Sequence, residues 1–167
     1  TFRGEDMSSM ERLYRWIAAM RMSAEEPVKG WGPNAFYYYY KPYAVSSFKT
    51  YVSRNTEKST THNYFLYMLV EQGWPAMLLY AALIAVAFAQ AQKTYHRFKD
   101  SFYRYCTLGA AMMLGAAFIN NFFSELLETH KVGSLFYISL ALLVVLRKLS
   151  MDMERKEKEE VAVATPQ

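Results

Sequence analysis

Three side chains in the first part of the chain, Arg12, Arg15 and His62, are of the types that steady a departing phosphate and move a proton. Arg12 and Arg15 are three apart and share a face if their segment is helical, with Glu11 placed to pair with Arg15 at i,i+4. Two forked guanidiniums side by side fit a diphosphate. The same spacing also fits surface arginines or lipid headgroup contacts, since charged helix faces are usually solvated. His62 and Asn63 stand in the run STTHNYFLYMLVEQGWPA. With Thr60 or Thr61 as N-cap, both fall in the first turn of a helix, where the positive helix end disfavours imidazolium and leaves His62 able to accept a proton. A single histidine is by itself more often structural than catalytic. On an unbroken helix His62, Leu66, Leu69 and Gly73 would share one face, and Gly73 with Pro75 permits a kink. The acidic and histidine residues show no metal-ligand spacing, so neither metal nor cofactor is expected and charge on a leaving group would fall to arginine.

The elements that must position these groups can be read from periodicity. Ser8 and Glu11 form an S-x-x-E capping box ahead of an apolar stripe of Met10, Leu13, Trp16, Ile17 and Met20, which predicts a helix over about 9–24, stopped by Pro27. Such a stripe lies on a membrane surface or against other helices. Gly30, Gly32 and Pro33 in GWGPN make a turn; with no strand before it and no Lys-Ser/Thr after it, it is not a phosphate loop. Phe36, Tyr37 to Tyr40 and Tyr43 form an aromatic cluster suited to a membrane interface or to sugar stacking. The polar stretch 46–61 reads as loop.

The mean hydropathy of -0.08 over 167 residues hides an uneven distribution. Residues 1–63 and the tail after Leu146 hold most of the charge, while apolar residues gather between. A net charge of +4 with no basic stripe excludes nucleic acid as a natural partner. Cys106, alone in an apolar run, forms neither an internal disulfide nor a metal site. Spans are predicted over about 74–92, 105–123 and 132–149, given that crossing a bilayer takes roughly 20 apolar residues. The third is short unless Arg147 and Lys148 snorkel or it starts near Leu126. Glu71 and Gln72 stand where polar groups are costly and should face protein or water. Lys93, Arg97, Lys99 and Arg104 after the first span, and Arg147 and Lys148 after the third, place those connections in the cytoplasm. Residues 1–63 and SELLETHK then fall outside it. Ala111 and Gly115 give the second span a small face for close packing. The charged tail 150–167 reads as a solvated helix or disordered end. The fold class is therefore all-α: a polytopic helical membrane protein fragment, with three transmembrane helices and an extracytoplasmic helical loop region at 1–63. The absence of an initiating Met is read as the mark of a piece of a longer chain.

Arg12 with Trp16, then Pro27-Val28-Lys29-Gly30-Trp31-Gly32-Pro33, then His62-Asn63 followed after nine residues by Gly73, resemble in this order the C-terminal conserved region of the O-antigen ligase and polymerase family. Trp16 stands where the family's R-x3-L-like element has Leu, and Ala76 where its His-Asn-x9-Gly pattern ends in Gly, Thr or Tyr. The resemblance implies a metal-independent, membrane-type glycosyltransferase of the bacterial inner membrane. Such an enzyme takes a glycan from undecaprenyl diphosphate and joins it to an acceptor hydroxyl, on lipid A core or on another glycan. It implies His62 as the catalytic group acting on the acceptor hydroxyl and Arg12 as the holder of the donor diphosphate. Arg15 is added to the diphosphate site from its helix spacing, and Asn63, Gly73 and Trp16 are supporting residues. A ligase, an O-antigen or exopolysaccharide polymerase and a protein O-glycosyl ligase all fit this pattern. So does a transporter or export scaffold subunit in which His62 and the arginines meet membrane lipids.

Overall fold

The computed structural model describes residues 5–44 and 60–164, and within them every regular element is helical. The order is α1 (Glu5–Glu25), α2 (Ala35–Tyr39), a 3-10 turn (Lys41–Tyr43), α3 (Tyr64–Arg97), α4 (Ser101–Asn120), a second 3-10 turn (Leu126–Glu128) and α5 (His130–Ala164). Helices α3, α4 and α5 are each long and apolar enough to cross a membrane. At 35 residues α5 runs for about 50 Å, more than a hydrocarbon core of roughly 30 Å, so it is long enough to project beyond one, while the 34 residues of α3 are interrupted at Gly73. The predicted loop at 46–61 lies outside the described residues except for Thr60 and Thr61.

Two compact units divide the chain: residues 1–81 with 119–128, and residues 82–118 with 129–167. In the first, α1 already includes Glu5, so the helix start expected near Ser9 lies too late and Ser8 is interior to the helix. The expected apolar stripe is not the buried face. Met10, Leu13 and Met20 are exposed, while Arg15, Ala18, Ala19, Met22 and Ser23 are buried. Small residues form this face because they let α1 come close to its neighbours, and alanines carry little weight in a hydrophobicity pattern. The core of the unit joins Ala19 and Met22 of α1, Phe36 and Tyr40 around α2, and Val70 of α3, with Trp31, Tyr43 and Leu66 packed against them. Complete burial of Phe36 contributes about 1.5–3 kcal/mol. Trp31 fastens the turn to α1 by donating from Nε1 to the Met22 carbonyl at 2.8 Å, and its ring meets Tyr39 and Tyr43.

The second unit contains the later part of α3, most of α4, and α5. Asp100 caps α4, accepting from the Phe102 backbone N–H at 2.8 Å. Beyond its apolar stretch α5 continues as a charged helix with Glu154–Lys158 and Arg155–Glu159 pairs at i,i+4. Arg97 pairs with Glu154 at 2.9 Å and Lys99 with Glu157, which ties the basic connection after α3 to this extension. Large apolar side chains such as Val86, Met112, Val144 and Val145 are exposed, as suits helices bathed in lipid.

Candidate functional site

The site is built around a break in α3. Gly73 has φ 78° and ψ 176°, outside the helical region and open to glycine alone, and Pro75 follows with no N–H to give. The break frees two carbonyls, Val70 and Glu71, whose i+4 partners would be Trp74 and Pro75. Both are taken by the GWGP turn: Trp31 N–H donates to Val70 O at 2.8 Å and Gly32 N–H to Glu71 O at 3.0 Å. Trp74 N–H turns instead to Pro27 O at 2.9 Å. The two backbones lie so close that a Cβ on Gly73 would stand 2.2 Å from Val28 O, and one on Gly30 would stand 2.4 Å from the Glu71 carbonyl carbon. The glycines are thus required by contact as well as by φ, and the turn that is not a phosphate loop serves as a brace for α3.

One end of this braced helix carries the histidine. Asn63, not Thr60 or Thr61, is the N-cap: its Oδ1 accepts from Leu66 N–H at 3.0 Å and its carbonyl from Tyr67 N–H at 2.9 Å. The Thr61 hydroxyl donates to the Asn63 carbonyl at 2.9 Å, and Asn63 Nδ2 donates to Phe122 O at 3.2 Å. His62 therefore sits before the helix, outside the first turn where it was expected, with φ 50°. It does not share a helix face with Leu66, Leu69 and Gly73. Asn outcompetes Thr here because its side chain reaches both the N3 amide and the carbonyl after α4. A left-handed histidine is uncommon and persists where its surroundings hold it.

Those surroundings come from α1 and from the segment after α4. Arg15 Nη1 donates to Thr60 O at 3.1 Å and Trp16 Nε1 to Thr61 O at 2.9 Å, so consecutive side chains grip the two carbonyls before His62. Arg15 also pairs with Glu11 at 3.9 Å, the i,i+4 pair read from the sequence. Arg15 is buried, whereas Arg12 is exposed and makes no hydrogen bond or ion pair among the described residues. The two arginines thus differ in environment although their spacing puts them on one face.

On the other side Glu125 Oε1 lies 3.8 Å from His62 Nδ1 and accepts from the Thr60 hydroxyl. Its Oε2 is buried without a hydrogen-bond partner among the described residues. In the sequence Glu125 carried no signal beyond the charge of its loop. Burial holds the imidazole below its ordinary pKa, against an upward pull from Glu125, while the nearby Arg15 and Arg12 guanidiniums add to the depression. The histidine is neutral-leaning as expected, but the cause is desolvation and neighbouring arginines. A carboxylate on the Nδ1 side favours the tautomer protonated there, which leaves Nε2 as the basic nitrogen. The arrangement can accept a proton from a hydroxyl with a guanidinium available to a nearby anion.

Comparison with curated proteins and with solved structures gives no match to this chain. A comparison with family models does, at residues 2–81, where it matches the family described as O-antigen ligase. The matched segment covers α1, the GWGP brace, His62 and the break at Gly73, and lies wholly in the first unit, which adds to it the stretch 119–128 that carries Glu125. The family is one of glycosyltransferase-like ligases and polymerases. It is also the family that Arg12, Trp16, the Pro27–Pro33 run and His62-Asn63-x9-Gly73 resemble, so residues 2–81 of this multi-pass helical chain are an O-antigen ligase family segment.

Proposed function

We propose that this chain is the catalytic part of an inner-membrane ligase that moves a polysaccharide from undecaprenyl diphosphate to an acceptor hydroxyl, such as one on lipid A core. His62 Nε2 takes the proton of the acceptor hydroxyl. The hydroxyl oxygen then attacks the anomeric carbon as its bond to the diphosphate breaks, with inversion. Arg12 meets the negative charge that develops on the departing diphosphate. Glu125 holds the imidazole and balances the positive charge it gains, and Arg15 and Trp16 hold the loop on which it stands. Arg15 reaches the diphosphate less readily than its spacing suggested, since its guanidinium is buried and bonded to Thr60 and Glu11. Its assignment to the donor site thereby gives way to positioning.

The observation that carries this reading is the meeting of a neutral-leaning His62, a carboxylate near its Nδ1 and an exposed Arg12 with no ion pair among the described residues, within one family segment and the turn packed on it. A periplasmic site is supported by charge. His62 and Thr60 contact the turn after α4, which the basic-residue rule puts on the same side as residues 1–63. The test is complementation of a ligase-deficient strain with the full-length protein bearing His62→Ala or Arg12→Ala, with membrane insertion checked for each. Loss of surface glycan is expected from both; normal glycan from both would refute the assignment. A polymerase would be recognised by shortened chains with attachment to lipid A core intact.

A further inference from the structure

The first unit contains a cluster with too many hydrogen-bond acceptors. Glu71, on α3 just before the break, is only 4% exposed. Its carboxylate lies against the backbone at Asn34 and Phe36 and against the Tyr67 hydroxyl, yet its Oε1 is buried with no hydrogen-bond partner among the described residues. Tyr67, one turn earlier on the same face, also faces Glu128 of the 3-10 turn, and its hydroxyl is 3.5 Å from Asn34 Oδ1. A phenol has one proton. The phenol proton can serve only one of two carboxylates and an amide oxygen, the backbone at Asn34 and Phe36 leaves Glu71 Oε1 unmatched, and the neighbouring charges are negative, Glu128 acting on Glu71 and Glu125 on Glu128. Buried polar atoms are normally satisfied, so an orphaned carboxylate oxygen beside a second carboxylate calls for a positive partner. No group of three or more His, Cys, Asp or Glu among the described residues is arranged to hold a metal. The oxygens here are instead two carboxylates completed by a hydroxyl and an amide carbonyl, the hard donors that Ca2+ and Mg2+ prefer. Asn34 and Glu128 are exposed, which leaves the cluster open to solvent on one side.

We propose that Glu71 and Glu128, with the Tyr67 hydroxyl and Asn34 Oδ1, bind one hard divalent cation of the Ca2+ or Mg2+ class, tying α3 at its break to the Leu126–Glu128 turn. Backbone carbonyls and water complete the shell, since Ca2+ takes about 6–8 oxygens. The turn carries Glu125 at its leading edge, so the ion also steadies the carboxylate beside His62. The cation touches no reacting atom, and its binding is independent of the reaction proposed above.

The test is titration of the purified full-length protein in detergent with Tb3+, a Ca2+ surrogate whose luminescence is sensitised by a nearby tyrosine, followed by competition with Ca2+. Saturable luminescence displaced by Ca2+ is expected. Affinity should fall at least about tenfold in Glu71→Gln and in Glu128→Gln, each removing one charged ligand. Tyr67→Phe should dim the signal of bound Tb3+. Glu128 is exposed, so Glu128→Gln is expected to fold even if Glu71→Gln does not, and an unchanged elution profile checks this. Absence of sensitised luminescence in the wild type, the result expected if a proton alone neutralises the cluster, overturns the proposal. Equal Tb3+ affinity in the wild type and Glu128→Gln overturns it as well.

Discussion

Glu125 Oε1 stands 3.8 Å from His62 Nδ1, the two residues being separated in sequence by the whole of α3 and α4. The separation is longer than a hydrogen bond but within reach of one once substrate closes the site, as catalytic pairs often are before binding. Glu125→Gln is expected to lower transfer by about tenfold to a hundredfold, the cost seen when an orienting partner of a functional histidine is lost. The sign of the pH effect separates this role from a structural one. Glu125 raises the His62 pKa, so its removal lets that pKa fall further and moves the acid limb of the transfer profile to lower pH. An acid limb unmoved in Glu125→Gln would remove Glu125 from the proton path.

The same logic applies in reverse to the arginines. The wild-type acid limb should lie below that of a free imidazole, because burial and the guanidiniums keep His62 neutral to lower pH. Arg12→Ala takes away one depressing charge and should shift that limb upward. It should also raise the KM for the lipid-linked donor with little change in thermal stability, since Arg12 is exposed and unpaired among the described residues. A pH–rate series on proteoliposomes with a thermal melt of each variant checks all three effects.

Arg15 and Trp16 should behave differently from Arg12. Trp16→Phe keeps an aromatic ring, though a smaller one, and deletes the bond to Thr61 O, at a cost of about 1 kcal/mol for a neutral hydrogen bond. Arg15→Ala removes the charged bond to Thr60 O, about 1.5–3 kcal/mol. Both are expected to lower the melting temperature and the turnover together while donor KM changes little. A selective rise in donor KM in Arg15→Ala would return Arg15 to the diphosphate site.

Glycine substitutions test the brace. Gly73→Ala places a Cβ 2.2 Å from Val28 O at φ 78°, a combination expected to cost about 3 kcal/mol or more and to abolish stable expression. Gly109→Ala, on α4 with nothing within 4 Å of the new Cβ, should be tolerated or mildly stabilising. Fluorescence-detected size exclusion of the two variants distinguishes them; a well-behaved Gly73→Ala would mean that α3 can run straight through the break.

Much of this arrangement was legible in the sequence. Three spans follow from apolar run length, whereas His62, Arg12 and Gly73 are drawn together as a set by their resemblance to a family pattern and not by their residue types alone. What was not legible came from competition and from distance. Thr60, Thr61 and Asn63 are all good caps, and only the carbonyl of Phe122 beside Asn63 decides between them. Arg12 and Arg15 have the same spacing signal, and burial alone separates them. The face of α1 that packs is marked by Ala18 and Ala19, which hydrophobic periodicity does not weigh. Glu125 looks like any loop carboxylate until α3 and α4 bring it back beside His62.

The most direct test of the central claim is the rate of glycan transfer by the reconstituted full-length protein carrying His62→Gln, which keeps a polar side chain but offers no base. With donor saturating, turnover is expected to fall by at least about a hundredfold, the contribution typical of general base catalysis, while donor binding and the melting temperature stay near wild type. Transfer at the wild-type rate would contradict the account, because the acceptor hydroxyl would then be losing its proton to some other group.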